Sequence, residues 1–206
     1  MATSPHKKAS RKSASTEDVE LWFFLKMGSA QAFTRLYNLY FEDLCRYGNR
    51  ITNDKELIED CLQDLFVEIW KGRGNLPTVH TVRYYLYKRL KRKIIKKLVD
   101  RRKLPMVNNM LEEYNFTIVF SKESELISQQ FCEDQQGELL NALNSLTRRQ
   151  KEAITLRFYD GLTNQEVAGL LSMDTKSVRN LIYRAMLTLR KEMLKFALLL
   201  CAVLIF

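Results

Sequence analysis

Chain breakers are scarce in this sequence: 7 glycines and 3 prolines in 206 residues. So few turns exclude a turn-rich all-β sandwich, and so few glycines exclude Gly-rich phosphate loops. The four cysteines, Cys45, Cys61, Cys132 and Cys201, lie far apart and form no CxxC. Neither His6 nor His80 sits beside them, which removes a zinc site or a disulfide framework and leaves buried, reduced thiols. There is no Ser/His/Asp set, no metal-ligand cluster and no P-loop, so no catalysis, metal or cofactor is expected. Residues 1–15 are basic and Ser-rich but lack an apolar core, unlike a secretory signal, and the chain is expected to be cytoplasmic. The apolar run at 196–206 has 11 residues, against roughly 17–25 for a membrane-spanning helix.

What remains is ordinary in bulk. Hydrophobic residues make up 46% and charged residues 28%, which excludes collagen, continuous coiled coil and wholesale disorder. The length suits one mid-sized domain or two small ones. The net charge of +9 favours an acidic partner, nucleic acid or an anionic membrane surface.

The charge is unevenly distributed. Residues 17–70 hold 5 basic and 11 acidic residues, and 83–103 hold 11 basic residues against Asp100 alone. Residues 112–138 are acidic again, and 139–195 carry 10 basic and 5 acidic residues. A solvated helix normally mixes its signs, so the 83–103 block calls for an explanation.

Periodicity assigns helices throughout. Glu17 and Asp18 open one, since carboxylates favour the positive end of a helix dipole. Ser29 caps the next, whose apolar residues Phe33, Leu36, Tyr37, Tyr40, Phe41, Leu44 and Tyr47 recur at steps of three and four. Asn53 is the expected cap of a third helix with the face Leu57, Ile58, Cys61, Leu62, Leu65, Phe66, Ile69 and Trp70, broken by Gly72, Gly74 and Pro77. A fourth runs from about Thr78 or Thr81 to Arg102, with Leu86, Leu90, Ile94 and Leu98 on one side. Pro105 ends it. A capping box at Thr147 and Gln150 starts a further helix, with the face Ala153, Ile154, Leu156 and Phe158 before Gly161. Alternation appears only at 115–120, and that run is short. The fold class is therefore all-α, in two helical domains. The expected layout is a basic N-terminus at 1–15, a first domain at 16–103, a linker at 104–130, a second domain at 131–194 and an apolar tail at 195–206.

The strongest local signal is a helix-turn-helix. Thr163 and Glu166 form a second capping box before Val167, Ala168, Leu170 and Leu171. Ser172, Met173 and Asp174 make a tight turn, and Thr175 is the expected cap of a longer helix with the seam Val178, Leu181, Ile182, Ala185 and Leu189. A recognition helix presents its first turns to base edges. The exposed candidates are Lys176, Ser177, Arg179, Asn180, Tyr183 and Arg184, because Arg and Asn can contact bases bidentately while Lys, Ser and Tyr reach phosphates. The alternative is an ordinary helical hairpin with a solvated face. In the 83–103 block, Arg83, Tyr84, Tyr85, Tyr87, Lys88, Arg89, Lys91, Arg92 and Lys93 interleave rings with cations, a mixture suited to opened DNA. The alternative is partly buried tyrosines beside a solvated cationic stripe.

With these residues in view, the chain resembles an RNA polymerase sigma factor of the extracytoplasmic-function group of the sigma-70 family. The likeness spans about 27–103 (region 2) and 138–192 (region 4). Leu57-Ile-Glu-Asp-Cys-Leu-Gln-Asp-Leu-Phe-Val-Glu-Ile-Trp70 is similar to the family pattern of an acidic pair, Gln-acid, Phe and a terminal Trp. Val82-Arg-Tyr-Tyr-Leu-Tyr87 resembles the segment before the −10 helix. Leu146-Thr-Arg-Arg-Gln-Lys-Glu152 and Tyr159-Asp-Gly-Leu-Thr-Asn-Gln-Glu-Val-Ala168 lead into the helix-turn-helix as in region 4. Two departures stand out: Tyr85 where the family often has Trp, and a basic run from Lys91 to Lys97 where it often has Asn then Asp.

The resemblance implies a factor that binds core RNA polymerase, directs it to promoters and assists −10 melting. It implies docking of Asp60, Gln63, Asp64, Phe66 and Glu68 on the beta-prime clamp helices, with the beta flap as a further contact. It implies −10 contacts from Arg83, Tyr84, Tyr87, Lys88 and Lys91, with a base captured by the 71–81 loop. It implies −35 reading by Lys176, Arg179, Asn180 and Arg184. The linker would thread near the polymerase cleft. Three readings of the tail stay open: continuation and packing of the last helix, shielding by an inhibitory anti-sigma factor, or membrane contact aided by Arg190, Lys191 and Lys195, with packing preferred over an exposed apolar surface. Two rival functions also stay open, a stand-alone helix-turn-helix regulator and a membrane-associated interaction module.

Overall fold

The structure, a computed structural model, describes residues 17–101, 114, 116–117 and 141–205, with side chains described to 192. It divides into two compact units, Met1–Tyr114 and Asn115–Phe206. Every regular element among the described residues is helical. The expected N-terminal segment at 1–15, nearly all of the 104–130 linker and the start of the second domain at 131–140 lie outside the described residues.

The first unit holds α1 (17–26), α2 (Ala30–Ile51), α3 (Lys55–Lys71), a 3₁₀ turn (Arg73–Asn75) and α4 (Val82–Arg101). α2 begins where Ser29 Oγ accepts the Ala32 N–H at 3.2 Å. It buries Ala32, Leu36, Tyr40, Leu44, Tyr47 and Ile51, a row at steps of three and four that makes one continuous face. α3 buries Leu57, Ile58, Cys61, Leu62, Leu65, Phe66 and Ile69, and α4 buries Leu86, Leu90 and Ile94. Each such fully buried aliphatic side chain contributes about 1.5–3 kcal/mol of transfer free energy. The crossing of α2 and α3 requires glycine at one point: a Cβ on Gly48 would lie 2.7 Å from Ile58 Cγ2. Leu98, expected on the apolar side, is only half-buried at the open end of α4.

The expected cap of α3 is off by one residue. The carboxylate of Asp54, not Asn53, accepts the Leu57 N–H at 2.9 Å. A charged acceptor is favoured there by the helix dipole, and Asp54 also pairs with Arg101 at the far end of α4. That backbone hydrogen bond first, and the Arg101 charge with it, hold the Asp54 carboxyl below its ordinary range.

In the second unit, residues 141–144 are helical, followed by α5 (Arg148–Ile154), a π-helical turn (Thr155–Tyr159), α6 (Asn164–Leu171) and α7 (Thr175–Ile205). Both expected capping boxes form. Thr147 N–H donates to Gln150 Oε1 at 2.9 Å, and Thr163 N–H donates to Glu166 Oε2 at 2.7 Å. The π turn shifts the register at the end of this segment, so Phe158, expected on the buried face, is 56% exposed while Leu156 is fully buried. Gly161 then closes the turn at φ +74°, a conformation only glycine adopts freely.

The backbone of α7 remains helical to Ile205, so the apolar tail continues the last helix; its side chains lie outside the described residues, and with them the choice among its three readings. No helix among the described residues is long and apolar enough to cross a membrane.

Candidate nucleic-acid interface

The helix-turn-helix consists of α6, the turn at Ser172–Asp174 and the first turns of α7. Ser172 takes the left-handed conformation at φ +53°, and Met173 N–H donates to the Ala168 carbonyl at 3.0 Å. This ends α6 and leads into α7 within three residues. Val167, Ala168, Leu170, Val178 and Ala185 are buried where the two helices meet. The small residues Ala168 and Ala185 permit the close approach.

The cap of α7 also differs from expectation. Asp174, rather than Thr175, accepts the Ser177 N–H at 2.8 Å and the Ser177 hydroxyl as well. The hydroxyl bond first, then backbone N–H groups, hold the Asp174 carboxyl below its ordinary range. Ser177 is therefore committed to the cap. Lys176, Arg179, Asn180, Tyr183 and Arg184 are exposed, and none of their side chains has an ion-pair or hydrogen-bond partner among the described residues. Three cations and an amide with exposed side chains in the first three turns of α7 form a surface fit for a duplex groove.

The first unit is organised differently. α3 and α4 run antiparallel, and the acids of one face the cations of the other. Arg101 pairs with Asp54, Lys97 with Asp64 at 3.1 Å and Asp60 at 3.6 Å, and Glu68 with Lys93 at 2.6 Å and Arg89 at 3.6 Å. Burial opposes the Lys97 charge, but the hydrogen bond that its ammonium donates to Asp64 and the negative groups around it raise its affinity for its proton overall. These pairs are solvent-accessible, and each is worth at most about 1 kcal/mol. The large positive charge of the 83–103 block is thus partly balanced inside the unit.

The five residues expected at the −10 element separate. Tyr84 and Lys88 are half-exposed, with Lys88 Nζ donating to Tyr84 Oη at 3.0 Å. Arg83 is half-exposed and pairs with Asp43 at 3.2 Å. Tyr87 is fully buried and stacks on Tyr47 with ring centroids 4.5 Å apart. Lys91 is buried, its ammonium 4.9 Å from the Tyr114 ring centroid. In this fold Tyr87 and Lys91 belong to the interior rather than to the exposed surface of α4. Both stand on the same helical face as Leu90 and Ile94, which the cationic count concealed. Lys96 and Arg92 stand outside the expected contact set. Both are exposed, without partners among the described residues, and continue the line Tyr84, Lys88, Arg92, Lys96 at four-residue steps. That spacing was the available signal.

The expected docking residues separate too. Asp60, Asp64 and Glu68 lie on the α4 side of α3 in the pairs above. Gln63 lies on the other flank, and Phe66 is buried at 4% exposure. That flank borders an open groove of about 710 Å³ between α2 and α3, lined among others by Phe33, Tyr37, Phe41, Gln63, Phe66 and Trp70. Phe33 meets Trp70 at 5.2 Å and Tyr37 meets Phe66 at 4.8 Å between centroids. Phe33, Tyr37 and Phe41, expected as core, are half-buried walls of this groove.

Nothing among the described residues has the makings of a metal centre. Burial pushes the Cys45 and Cys61 thiols up, which makes both poor nucleophiles.

These two helical units, one with a basic and aromatic helix and one with a helix-turn-helix, define a nucleic-acid-binding architecture. Residues 36–104 match the model of sigma-70 region 2, and 136–189 match that of sigma-70 region 4, together more than half of the chain. The extracytoplasmic-function sigma factor SigK of Mycolicibacterium vanbaalenii is 23% identical over 163 residues, covering 79% of this chain and 82% of the relative. SigX of Bacillus subtilis is 22% identical over 165 residues, covering 79% and 84%. Among solved structures, the fold is similar to RpoE of Bartonella quintana (TM-score 0.54, 17% identity, 80% of this chain and 98% of that one). It is also similar to CnrH (TM-score 0.53, 19% identity, 84% and 95%). The chain belongs to the sigma-70 family of RNA polymerase sigma factors, in its extracytoplasmic-function group.

Proposed function

We propose that this protein is a promoter-specificity factor, which binds core RNA polymerase, directs it to defined promoters and assists opening of the −10 region. The observation that carries the reading is the presence, in family order, of regions 2 and 4 on two helical units, the second ending in an unpartnered recognition surface. The factor acts by binding and by regulation, in the cytoplasm, with chemistry left to the polymerase.

Arg179, Asn180 and Arg184 read base edges of the −35 element, while Lys176 and Tyr183 hold the backbone. Tyr84, Lys88, Arg92 and Lys96 follow the −10 strand, with the 71–81 loop taking up an unpaired base. The groove between α2 and α3, with Gln63 on its rim and Phe66 in its wall, receives the beta-prime clamp helices, while Asp60, Asp64 and Glu68 meet basic polymerase surface beside it. The second unit contacts the beta flap. An anti-sigma factor is the proposed inhibitory partner; CnrH and RpoE were solved in complex with the cytosolic domain of CnrY and the anti-sigma factor NepR.

Run-off transcription with core polymerase over a randomised promoter library tests the reading. The expected outcome is initiation from a defined −35/−10 pair only when the factor is present. A gel-shift assay is expected to show tight promoter binding only with core enzyme added. Tight, sequence-specific duplex binding by the factor alone, without stimulated initiation, would favour a stand-alone regulator instead.

A further inference from the structure

A buried indole N–H requires an acceptor, since an unpaired one forfeits a full hydrogen bond. Trp22 of α1 is 3% exposed. Its Nε1–H donates, at 3.0 Å, to the carbonyl of Pro77, 55 residues further on and in the middle of the segment joining α3 to α4. The same ring meets Tyr85, in the first turn of α4, edge-on with centroids 5.0 Å apart. One side chain from α1 therefore grips both the connecting loop and the helix that follows it.

The loop is held firmly on its α3 side. Gly72 N–H donates to the Glu68 carbonyl at 2.9 Å, and the 3₁₀ turn closes with Leu76 N–H to the Arg73 carbonyl at 3.3 Å. Arg73 lies over the Trp70 ring at 4.6 Å and donates to the Trp70 carbonyl at 2.9 Å. Leu76 is buried as a plug. Beyond it, from Pro77 to His80, the bond from Trp22 is the hydrogen bond that fixes the backbone among those the described residues make. Thr78 and His80 are exposed and without partners among the described residues. The result is a short polar tip on a rigid rim, with Trp22 as its last fixed point.

We propose that Trp22 is a positioning residue for −10 recognition: through Pro77 it holds the Thr78–His80 tip in register with α4. This inference rests on the reading of the 71–81 loop as the base-capturing segment. Preorganised polar groups discriminate better than mobile ones, because the cost of ordering them is met during folding.

The test uses holoenzyme assembled with full-length Trp22→Phe, which keeps a ring against Tyr85 but removes the N–H donor. Thr78→Ala and His80→Ala report on the loop itself. Open-complex formation is measured on a library-selected promoter and on its −10 and −35 variants, with core affinity as a reference. Trp22→Phe is expected to lower −10 discrimination about fivefold, the equivalent of one net hydrogen bond. Discrimination at −35 and core affinity should stay within about twofold, the margin left for uncoupled sites. Retained −10 discrimination in Trp22→Phe, with loss in the loop variants, would overturn the role of Trp22 alone. Retained discrimination in the loop variants as well would remove the loop reading and the inference with it. A uniform loss at −10, −35 and core binding would reduce Trp22 to a folding residue and also overturn it.

Discussion

Lys97 of α4 holds Asp64 of α3 at 3.1 Å, so a cation from the proposed DNA-facing helix neutralises an acid from the proposed polymerase-facing helix. The same relation recurs at Lys93 with Glu68 and Arg101 with Asp54. Net charge along a segment is therefore a poor guide to which side chains are offered to DNA. The cations that remain available are those on the flank of α4 turned away from α3.

This sorting gives a prediction on salt dependence. Each phosphate contact adds roughly 0.7–0.9 to the slope of log affinity against log salt. Replacing Arg92 and Lys96 together by Ala is expected to lower the slope of holoenzyme–promoter binding by about 1–2 on that scale. Replacing Lys93 and Lys97 together should change it less, because their charges are already shared with Glu68, Asp60 and Asp64. Fluorescence-anisotropy titrations over a salt series check this; the opposite ranking would put the DNA on the other flank.

Tyr87 separates the interior role from the nucleic-acid role. Its ring is fully buried against Tyr47. Tyr87→Ala is expected to cost about 3–5 kcal/mol of stability, as for other large-to-small changes at buried rings, measured by urea unfolding. Tyr87→Phe keeps the stack and should leave −10 opening, followed by permanganate reactivity of unpaired thymines, near that of the parent protein. A large drop in opening with normal stability would show that the ring reaches DNA.

Local features were readable in the sequence. The caps at Ser29, Thr147 and Thr163, the buried face of α3 and the helix-turn-helix all depend on residues within one or two turns of each other. Features set by tertiary packing were not. Which acid of α3 meets which cation of α4 depends on their antiparallel register, and no local pattern encodes it. Phe33, Tyr37 and Phe41 belong to the same periodic stripe as Leu36, Tyr40 and Leu44; among the described residues no helix covers them, and they stand as half-buried walls of a groove. Phe158 left the buried face because a π turn inserts one residue into the count. Asn53 and Asp54, like Thr175 and Asp174, are neighbouring residues that can both cap, and in each case the carboxylate prevailed.

Those two carboxylate caps make the protein acid-sensitive in a defined sense. Asp54 and Asp174 both titrate below the ordinary carboxyl range because backbone and hydroxyl donors stabilise their charged forms. A group depressed in the folded state contributes stability above its unfolded value, near 4, and that contribution is lost as pH falls through the folded value. Asn can cap but does not titrate. Asp54→Asn and Asp174→Asn should therefore each show a shallower fall of melting temperature between about pH 5 and pH 2 than the parent protein, read by circular dichroism. Parallel profiles would mean that neither charge contributes to its helix.

At the recognition helix, exposure and commitment distinguish readers from supports. Arg179 is exposed and unpartnered, while Ser177 gives its hydroxyl and its N–H to Asp174. Arg179→Ala is expected to cost about 1–3 kcal/mol of discrimination among −35 variants, the usual worth of a bidentate base contact. Ser177→Ala should lower the melting temperature of the second unit while leaving the ranking of −35 variants unchanged. Competition binding of holoenzyme to a panel of single-base −35 substitutions measures both. If the Ser177 variant reorders the panel and the Arg179 variant does not, α7 must enter the groove on a face rotated from the one presented by Arg179 and Asn180.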